Sequence, residues 1–275
     1  MPFYLAPCTD GRRMKEYFNG AEVNYQIQGE GDSKVLLLHG WGCDMKMMQP
    51  VADALKTEHK VLLLDFPGHG MSGRPPVPWG VPEYAQCIKE LLQKNDYIPC
   101  SVIAHSFGCR IAAWLASSEP SIFKKIVFTG AAGIRPRQSE ESARRSAKYK
   151  KYKGYCESMK HVPLLKGLAE RMEAGLRQKY GSRDYNALDE EMRKTFVKVI
   201  NQDLSALYPQ ITQSTLLIWG DADQETPIWM AEEMEKMIPD AGLVILEGGS
   251  HFAYLEQIQR FNSIVSFFLK EDKNR

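Results

Sequence analysis

Nowhere does the chain approach the roughly 20 consecutive apolar residues that a membrane-spanning helix requires, so no membrane partner is expected. It also lacks an excess of either charge, with 35 Lys and Arg against 34 Asp and Glu. That balance creates no global field to draw in nucleic acid, which removes nucleic-acid binding from the expected functions. Its six cysteines (Cys8, Cys43, Cys87, Cys100, Cys109 and Cys156) contain no C-x-x-C pair. A chain of 275 residues buries enough apolar surface to fold without staples, so free thiols in reducing surroundings are expected. The first residues, MPFYLAPCTDGRRMKEY, hold no basic stretch followed by an apolar run of signal-peptide length. Together these features point to a cytoplasmic protein. No repeat or low-complexity segment interrupts a composition that is 44% hydrophobic and 25% charged, the balance of an ordinary globular chain.

What is present is an alternation. Short β-rich runs (Val35 to Leu38, Val61 to Leu64, Ser101 to Ala104, Ile126 to Thr129, Thr215 to Trp219, Leu243 to Leu246) are separated by helical patterns. This predicts a mostly parallel central sheet with helices on both faces, an α/β fold. Runs such as VLLL are apolar without alternation, as expected of strands covered on both sides. Upstream, MKEYF and EVNYQIQG flank Asn19 and Gly20 and read as an antiparallel hairpin at the sheet edge. Helices are predicted near Met48 to Lys56, Val81 to Lys94, Phe107 to Ser118, Pro227 to Met237 and Tyr254 to Leu269. From about Ile134 to Tyr208 the strand signals stop and the pattern is helical throughout, with Leu164, Leu165, Leu168, Met172 and Leu176 on one helix face and Met192, Phe196, Val199 and Ile200 on another. The expected organisation is a core of residues 1–134 and 211–275, with an all-helical insertion at 135–210.

One stretch invites a different reading. GHGMSG places Gly68, Gly70 and Gly73 at the spacing of a dinucleotide-binding fingerprint. That fingerprint needs a helix starting at the third glycine and an acid at the end of the next strand. Here RPPVPWG follows Gly73, its prolines cannot open a helix, and Glu83 and Glu90 fall inside a predicted helix. GHGMSG is therefore expected to be a supporting loop, without a bound nucleotide.

In SVIAHSFGCRIAAWLA a predicted strand ends, Ser106 follows, and a helix begins. A serine on so tight a turn is held in a strained conformation that exposes its hydroxyl, and small residues two positions either side, Ala104 and Gly108, let strand and helix pass closely. The helix N-terminus leaves N–H groups near Ser106, including that of Phe107, aimed where an anion would sit. A nucleophilic serine needs a base and an orienting acid. His251 in GGSH lies between the last strand and last helix, and WGDAD offers Asp221 and Asp223 after the strand TLLIW. LLLHGWGCD supplies a glycine turn that can aim the Trp41 N–H at the same place.

Taken in order, HGWG, DFPGHGMSGRP, AHSFG, WGDAD and GGSHF resemble the α/β-hydrolase fold superfamily over nearly all the chain outside the helical insertion. Ala104 departs from the usual glycine. The resemblance implies an α/β-hydrolase fold with Ser106, Asp223 and His251 as the catalytic triad, the Trp41 and Phe107 amides as oxyanion hole, and the insertion as a helical cap. The expected activity is that of a serine hydrolase cleaving a small carboxylic ester through an acyl-enzyme, with a small-molecule substrate, no metal and no cofactor. Arg110, four residues after Ser106, is a candidate for gripping a substrate carboxylate. It carries the alternative of a C–C bond hydrolase or lyase, whereas its structural alternative is a buried ion pair. A second alternative is a non-catalytic ligand receptor on the same fold. His39, His69 and His105 on sheet-end turns are expected to make structural hydrogen bonds, and Cys109 to pack as a small buried residue. The segment Arg135 to Lys160, with nine basic residues against three acidic, is expected to be a solvated face.

Overall fold

A computed structural model describes residues 11–135, 140–180 and 183–270; Cys8 lies outside them. Among the described residues, eight strands form one sheet in the order β1-β2-β4-β3-β5-β6-β7-β8. They are β1 (Arg13–Phe18), β2 (Ala21–Gln28), β3 (Ser33–Leu38), β4 (His59–Leu64), β5 (Cys100–His105), β6 (Phe123–Thr129), β7 (Ser214–Gly220) and β8 (Ala241–Leu246). The hairpin β1–β2 turns at Asn19 and Gly20, both at positive φ, and pairs antiparallel at one edge; β2 also runs antiparallel to β4, and β3 to β8 are parallel.

The continuous apolar runs divide by parity. Leu36, Leu38, Leu62, Leu64, Val102 and Ala104 enter one core, and Val35, Leu37, Val61, Leu63 and Ile103 enter the other. Helices α1 (Gln49–Leu55), α2 (Val81–Lys94) and α3 (Phe107–Ser118) follow the early strands. The first core takes buried residues from α2 and α3, and the second takes Val51, Ala52 and Leu55 from α1. Both faces of the strands are thereby covered, which explains why the strands show no polar alternation.

The chain separates into two compact units, residues 1–134 with 198–275, and residues 135–197. The second contains α4 (Glu140–Lys160), α5 (Lys166–Tyr180), α6 (Arg183–Ala187) and most of α7 (Glu190–Asn201). Within it α4 packs on α5, where Cys156 and Ala169 are buried and Lys160 Nζ pairs with Glu173 at 2.6 Å. The apolar period marks α5 from Lys166 on, but Leu164 and Leu165, expected on the same helix face, lie in a separate 3-10 turn (Pro163–Leu165), and Leu164 (95%), Leu168 and Met172 are exposed. Past residue 198, Val199, Leu204 and Tyr208 join the sheet core of the first unit.

The first unit ends with α8 (Trp229–Met237), α9 (Ala253–Glu256) and α10 (Ile258–Leu269). The single helix predicted over Tyr254 to Leu269 is in fact two. Gln257 leaves the helical region (φ −119°, ψ 45°) while its backbone still bonds Ala253 O and Phe261 N, and its side-chain Nε2 donates to the Glu247 carbonyl at 2.9 Å.

GHGMSG is a loop wound around a carboxylate. Asp65, just past β4 and buried, accepts from Asn24 Nδ2 at 2.7 Å, Met45 N at 2.7 Å and Met71 N at 2.8 Å. Gly68 N donates to Gly73 O and Gly73 N to Glu22 O, both at 2.8 Å. These loop amides are thus spent inside the protein, and the next helix begins only at Val81. Gly70 sits at φ +52°, where a Cβ would lie 2.3 Å from the Asp65 carboxyl carbon. A left-handed non-glycine residue costs about 1–2 kcal/mol before any clash. Gly70→Ala is accordingly expected to destabilise the fold by roughly 2–4 kcal/mol, read from chemical denaturation midpoints.

Candidate active site

Strand order reverses at β3 and β5. The chain steps from β3 outward to β4, then returns past β3 to β5. At such a switch point the connections leave the strand ends in opposite directions and open a crevice at the carboxyl edge of the sheet. The turn after β3 carries His39, Gly40 and Trp41, and the turn after β5 carries Ser106.

Ser106 is the single residue between strand and helix. Its backbone takes φ 48°, ψ −106°, a conformation an L-residue adopts only under constraint. The constraint is visible on both sides. Ser106 N donates to Thr129 O at 3.1 Å and its carbonyl accepts from Cys109 N and Ala132 N, while a Cβ on Gly108 would lie 2.7 Å from the Leu38 carbonyl oxygen. Only glycine lets α3 pass β3 that closely. Phe107 is the first residue of α3, where N–H groups have no preceding helical carbonyl. Its ring lies 5.1 Å from that of Trp41 at 78°, so the two residues expected to supply amide donors are neighbours. A side-chain carbon at Gly40 would come within 3.4 Å of Ser106 Cβ, which sets the His39–Trp41 turn directly against the serine.

His251 is buried, and its Nδ1 lies 2.8 Å from Asp223 Oδ2. Asp223 in turn gathers the loop after β7: Oδ1 accepts from Glu225 N at 2.8 Å and Thr226 N at 2.9 Å, and Oδ2 from Thr226 Oγ1 at 2.8 Å. Burial pushes the Asp223 carboxyl up, but the hydrogen bonds from His251 and Thr226 outweigh it and hold the group below its ordinary value. Asp221 is exposed and takes the Gly248 N–H at 2.6 Å, so of the two acids in WGDAD it is Asp223 that meets the imidazole.

The serine turn and the histidine loop are joined by His105. Its Nε2–H donates to the His251 carbonyl at 3.0 Å, and the two rings lie 4.8 Å apart. Nδ1 of His105 is buried without a hydrogen-bond partner, which fits the neutral tautomer in which that atom carries only a lone pair. Sequence reading had assigned His105 no task beyond a structural bond and missed Thr226 and Glu225 altogether. The D-x-x-T spacing of Asp223 and Thr226 was the available signal, since an aspartate commonly collects the amides two and three residues on.

The remaining candidates are otherwise engaged. Arg110 is 8% exposed and donates from Nη1 to the Gln202 carbonyl at 2.8 Å, tying α3 to the chain beyond α7. Cys109 is buried, with Sγ 3.0 Å from the Ala104 carbonyl, and burial pushes its thiol up and away from thiolate chemistry. His39 uses both ring nitrogens, Nδ1 toward Gly40 O at 2.7 Å and Nε2 accepting from Phe66 N at 3.0 Å.

Three of these histidines are buried in neutral form. Burial lowers His39, takes His69 down to about 3 with help from His39, and takes His105 down to about 3 with help from His251. In the unfolded chain each titrates near 6.5. Between those values the unfolded state binds protons that the native state refuses, so this stability is complete above about pH 6.5 and lost as pH falls. The loss is roughly 1.4 kcal/mol per pH unit for each of His69 and His105. Thermal midpoints measured from pH 7.5 to 5 should fall, with a shallower decline in His69→Asn.

A model of the Alpha/beta hydrolase family matches residues 35–264, from β3 to α10. The chain is 24% identical over 243 residues to a poly(3-hydroxyalkanoate) depolymerase of Ectopseudomonas oleovorans, covering 88% of this chain and 86% of that protein. It is 22% identical over 260 residues to a pimeloyl-(acyl-carrier protein) methyl ester esterase of Aliivibrio fischeri, covering 90% and 97%. Among solved structures, the enol-lactonase from Burkholderia xenovorans superposes with a TM-score of 0.72 at 22% identity, over 94% of this chain and 100% of that one. With the matched segment taking in the parallel strands, the turn at Ser106 and both loops that meet at His251, the chain belongs to the alpha/beta hydrolase family.

Proposed function

We propose that this protein is a serine esterase acting on small carboxylic esters. The observation that carries the reading is the 2.8 Å bond from His251 to the buried Asp223, made in a loop tied by His105 to the strained turn at Ser106. Chain order is Ser, Asp, His, the order of the triad in this fold.

The chemistry follows from the parts. Ser106 Oγ attacks the ester carbonyl while His251 takes its proton at Nε2, the ring nitrogen that Asp223 leaves unused. Asp223 fixes the tautomer and stabilises the imidazolium as it forms. The Trp41 and Phe107 amides hold the oxyanion, a contribution typically worth about 100-fold or more in rate per donor. His251 returns the proton to the departing alcohol, and water then cleaves the acyl-enzyme by the same route. Neither a metal nor a cofactor takes part in these steps. The helical insertion serves as the cap that selects substrate. Three of the similar proteins are named for a polyester, a methyl ester and an enol-lactone, in keeping with an ester substrate, while others are named an epoxide hydrolase and a meta-cleavage product hydrolase. The alternative resting on Arg110 as a carboxylate clamp loses support from the bond that guanidinium already makes to Gln202.

A fluorophosphonate probe should label the wild type and not Ser106→Ala. Turnover of a short-chain nitrophenyl ester should drop at least about 1000-fold in Ser106→Ala and His251→Ala, and by roughly 100-fold to 10,000-fold in Asp223→Asn. Equal labelling of wild type and Ser106→Ala would overturn the assignment.

A further inference from the structure

Glu225 is the one charged side chain at this site that the triad does not explain. Its backbone N–H belongs to the Asp223 network, but its side chain leaves that network and is 66% exposed. Oε2 lies 3.5 Å from His251 Nε2, on the ring edge away from Asp223. With Nδ1–H donating to Asp223, Nε2 of the neutral ring carries a lone pair, so the carboxylate and this nitrogen face each other as two acceptors. No hydrogen bond holds them in that state. Among the described residues no Lys or Arg pairs with Glu225, and the Arg110 guanidinium of α3 donates to the Gln202 carbonyl. A negative charge without a Lys or Arg partner among the described residues therefore stands beside this nitrogen.

The place of this charge has a chemical meaning, on the reading of the site as an esterase. Nε2 must come within hydrogen-bond distance of the alcohol oxygen in order to protonate it as it leaves. The alcohol portion of the ester is then the part of the substrate brought nearest to Glu225. We infer that Glu225 is a specificity-determining residue that selects esters of neutral or cationic alcohols and rejects those whose alcohol bears an anionic group. An anionic substituent a few bonds from the ester oxygen would sit several ångströms from the carboxylate. A cationic one would be drawn to it. For a side chain this exposed, the interaction is partly screened by water, giving a discrimination of about 3-fold to 30-fold that weakens as salt rises.

Three butyrate esters of similar size test this: the choline ester (cationic), its neutral isostere 3,3-dimethylbutyl butyrate, and the ester of glycolate (anionic). The readout is kcat/KM by proton release at low ionic strength, with Glu225→Gln and Glu225→Lys beside the wild type. The wild type should favour the cationic and neutral esters over the anionic one. Glu225→Gln should raise the anionic-to-cationic ratio by about 3-fold to 30-fold, Glu225→Lys should raise it further, and about 1 M salt should shrink both differences. Ratios that stay the same in all three proteins at low salt overturn the inference, and they leave the esterase reading intact if Ser106 of the wild type labels normally. Failure of the wild type to label at Ser106 overturns the esterase reading and this inference with it.

Discussion

The constraint on which the site depends is that β5 becomes α3 across one residue. Ser106 takes φ 48°, ψ −106° because no wider turn fits between a strand paired with β3 and β6 and a helix lying against Leu38. Ordinary residues avoid that region by about 1–3 kcal/mol, and the cost is met by buried contacts on all sides: Ile111, Ala112 and Leu115 of α3 in the core, and the Ser106 amide and carbonyl bonded to Thr129, Cys109 and Ala132. The same tightness brings the His39–Trp41 turn within van der Waals reach of Ser106 and lets His105, one residue earlier, reach the His251 carbonyl. Strain at the turn and order around it have one cause.

Two aspartates organise the loops at this sheet edge in the same physical way. Asp65 follows β4 and Asp223 follows β7, each is buried, and each collects backbone amides that the surrounding loop would otherwise bury unsatisfied. They differ in what is left over. Asp65 spends its oxygens on Asn24, Met45 and Met71 and closes a loop that carries no reactive group, whereas Asp223 keeps an oxygen for His251. The glycines that make GHGMSG look like a phosphate cradle serve instead to let the loop close over a carboxylate already present in the chain. A buried anion does there what a bound anion would do in a nucleotide site.

These differences mark where sequence was legible. The parallel strands could be read because burial on both faces leaves unbroken apolar runs, and α2 and α3 matched their predicted spans because Pro82 and the turn at Ser106 punctuate their starts. The break at Gln257 was not legible, since no helix breaker marks it and the side-chain bond to the Glu247 carbonyl that accompanies it crosses a loop. Nor was the open apolar face of α5: periodicity reports that a helix has a stripe, not whether anything covers it. At the site, Ser106, His251 and the pair Asp221 and Asp223 stand out by residue type and context, the choice of Asp223 comes from the family resemblance alone, and in three dimensions it is Asp223 that lies 2.8 Å from His251. Glu225 was invisible for a different reason. In a loop that already reads DAD, one more exposed acid looks like a solubilising residue until its distance to an imidazole is known.

Arg110 and Glu225 show why formal charge alone misleads about such a site. Arg110 has the sequence position of an anion receptor, four residues past Ser106 on the same helix, yet it is buried and bonded to a main-chain carbonyl that would be left without its donor if the side chain turned to a ligand. Glu225 has no motif to recommend it, yet among the described residues it pairs with no Lys or Arg, and it stands 3.5 Å from His251 Nε2, on the ring edge away from Asp223. A charge that is buried and hydrogen-bonded within the fold, as Arg110 is, is held away from a ligand; an exposed one meets whatever arrives. Of the two it is therefore the Glu225 carboxylate, exposed beside His251 Nε2, that an incoming group meets, a sign opposite to what Arg110 alone suggests, and on the proposed esterase reading that sign bears on which esters fit.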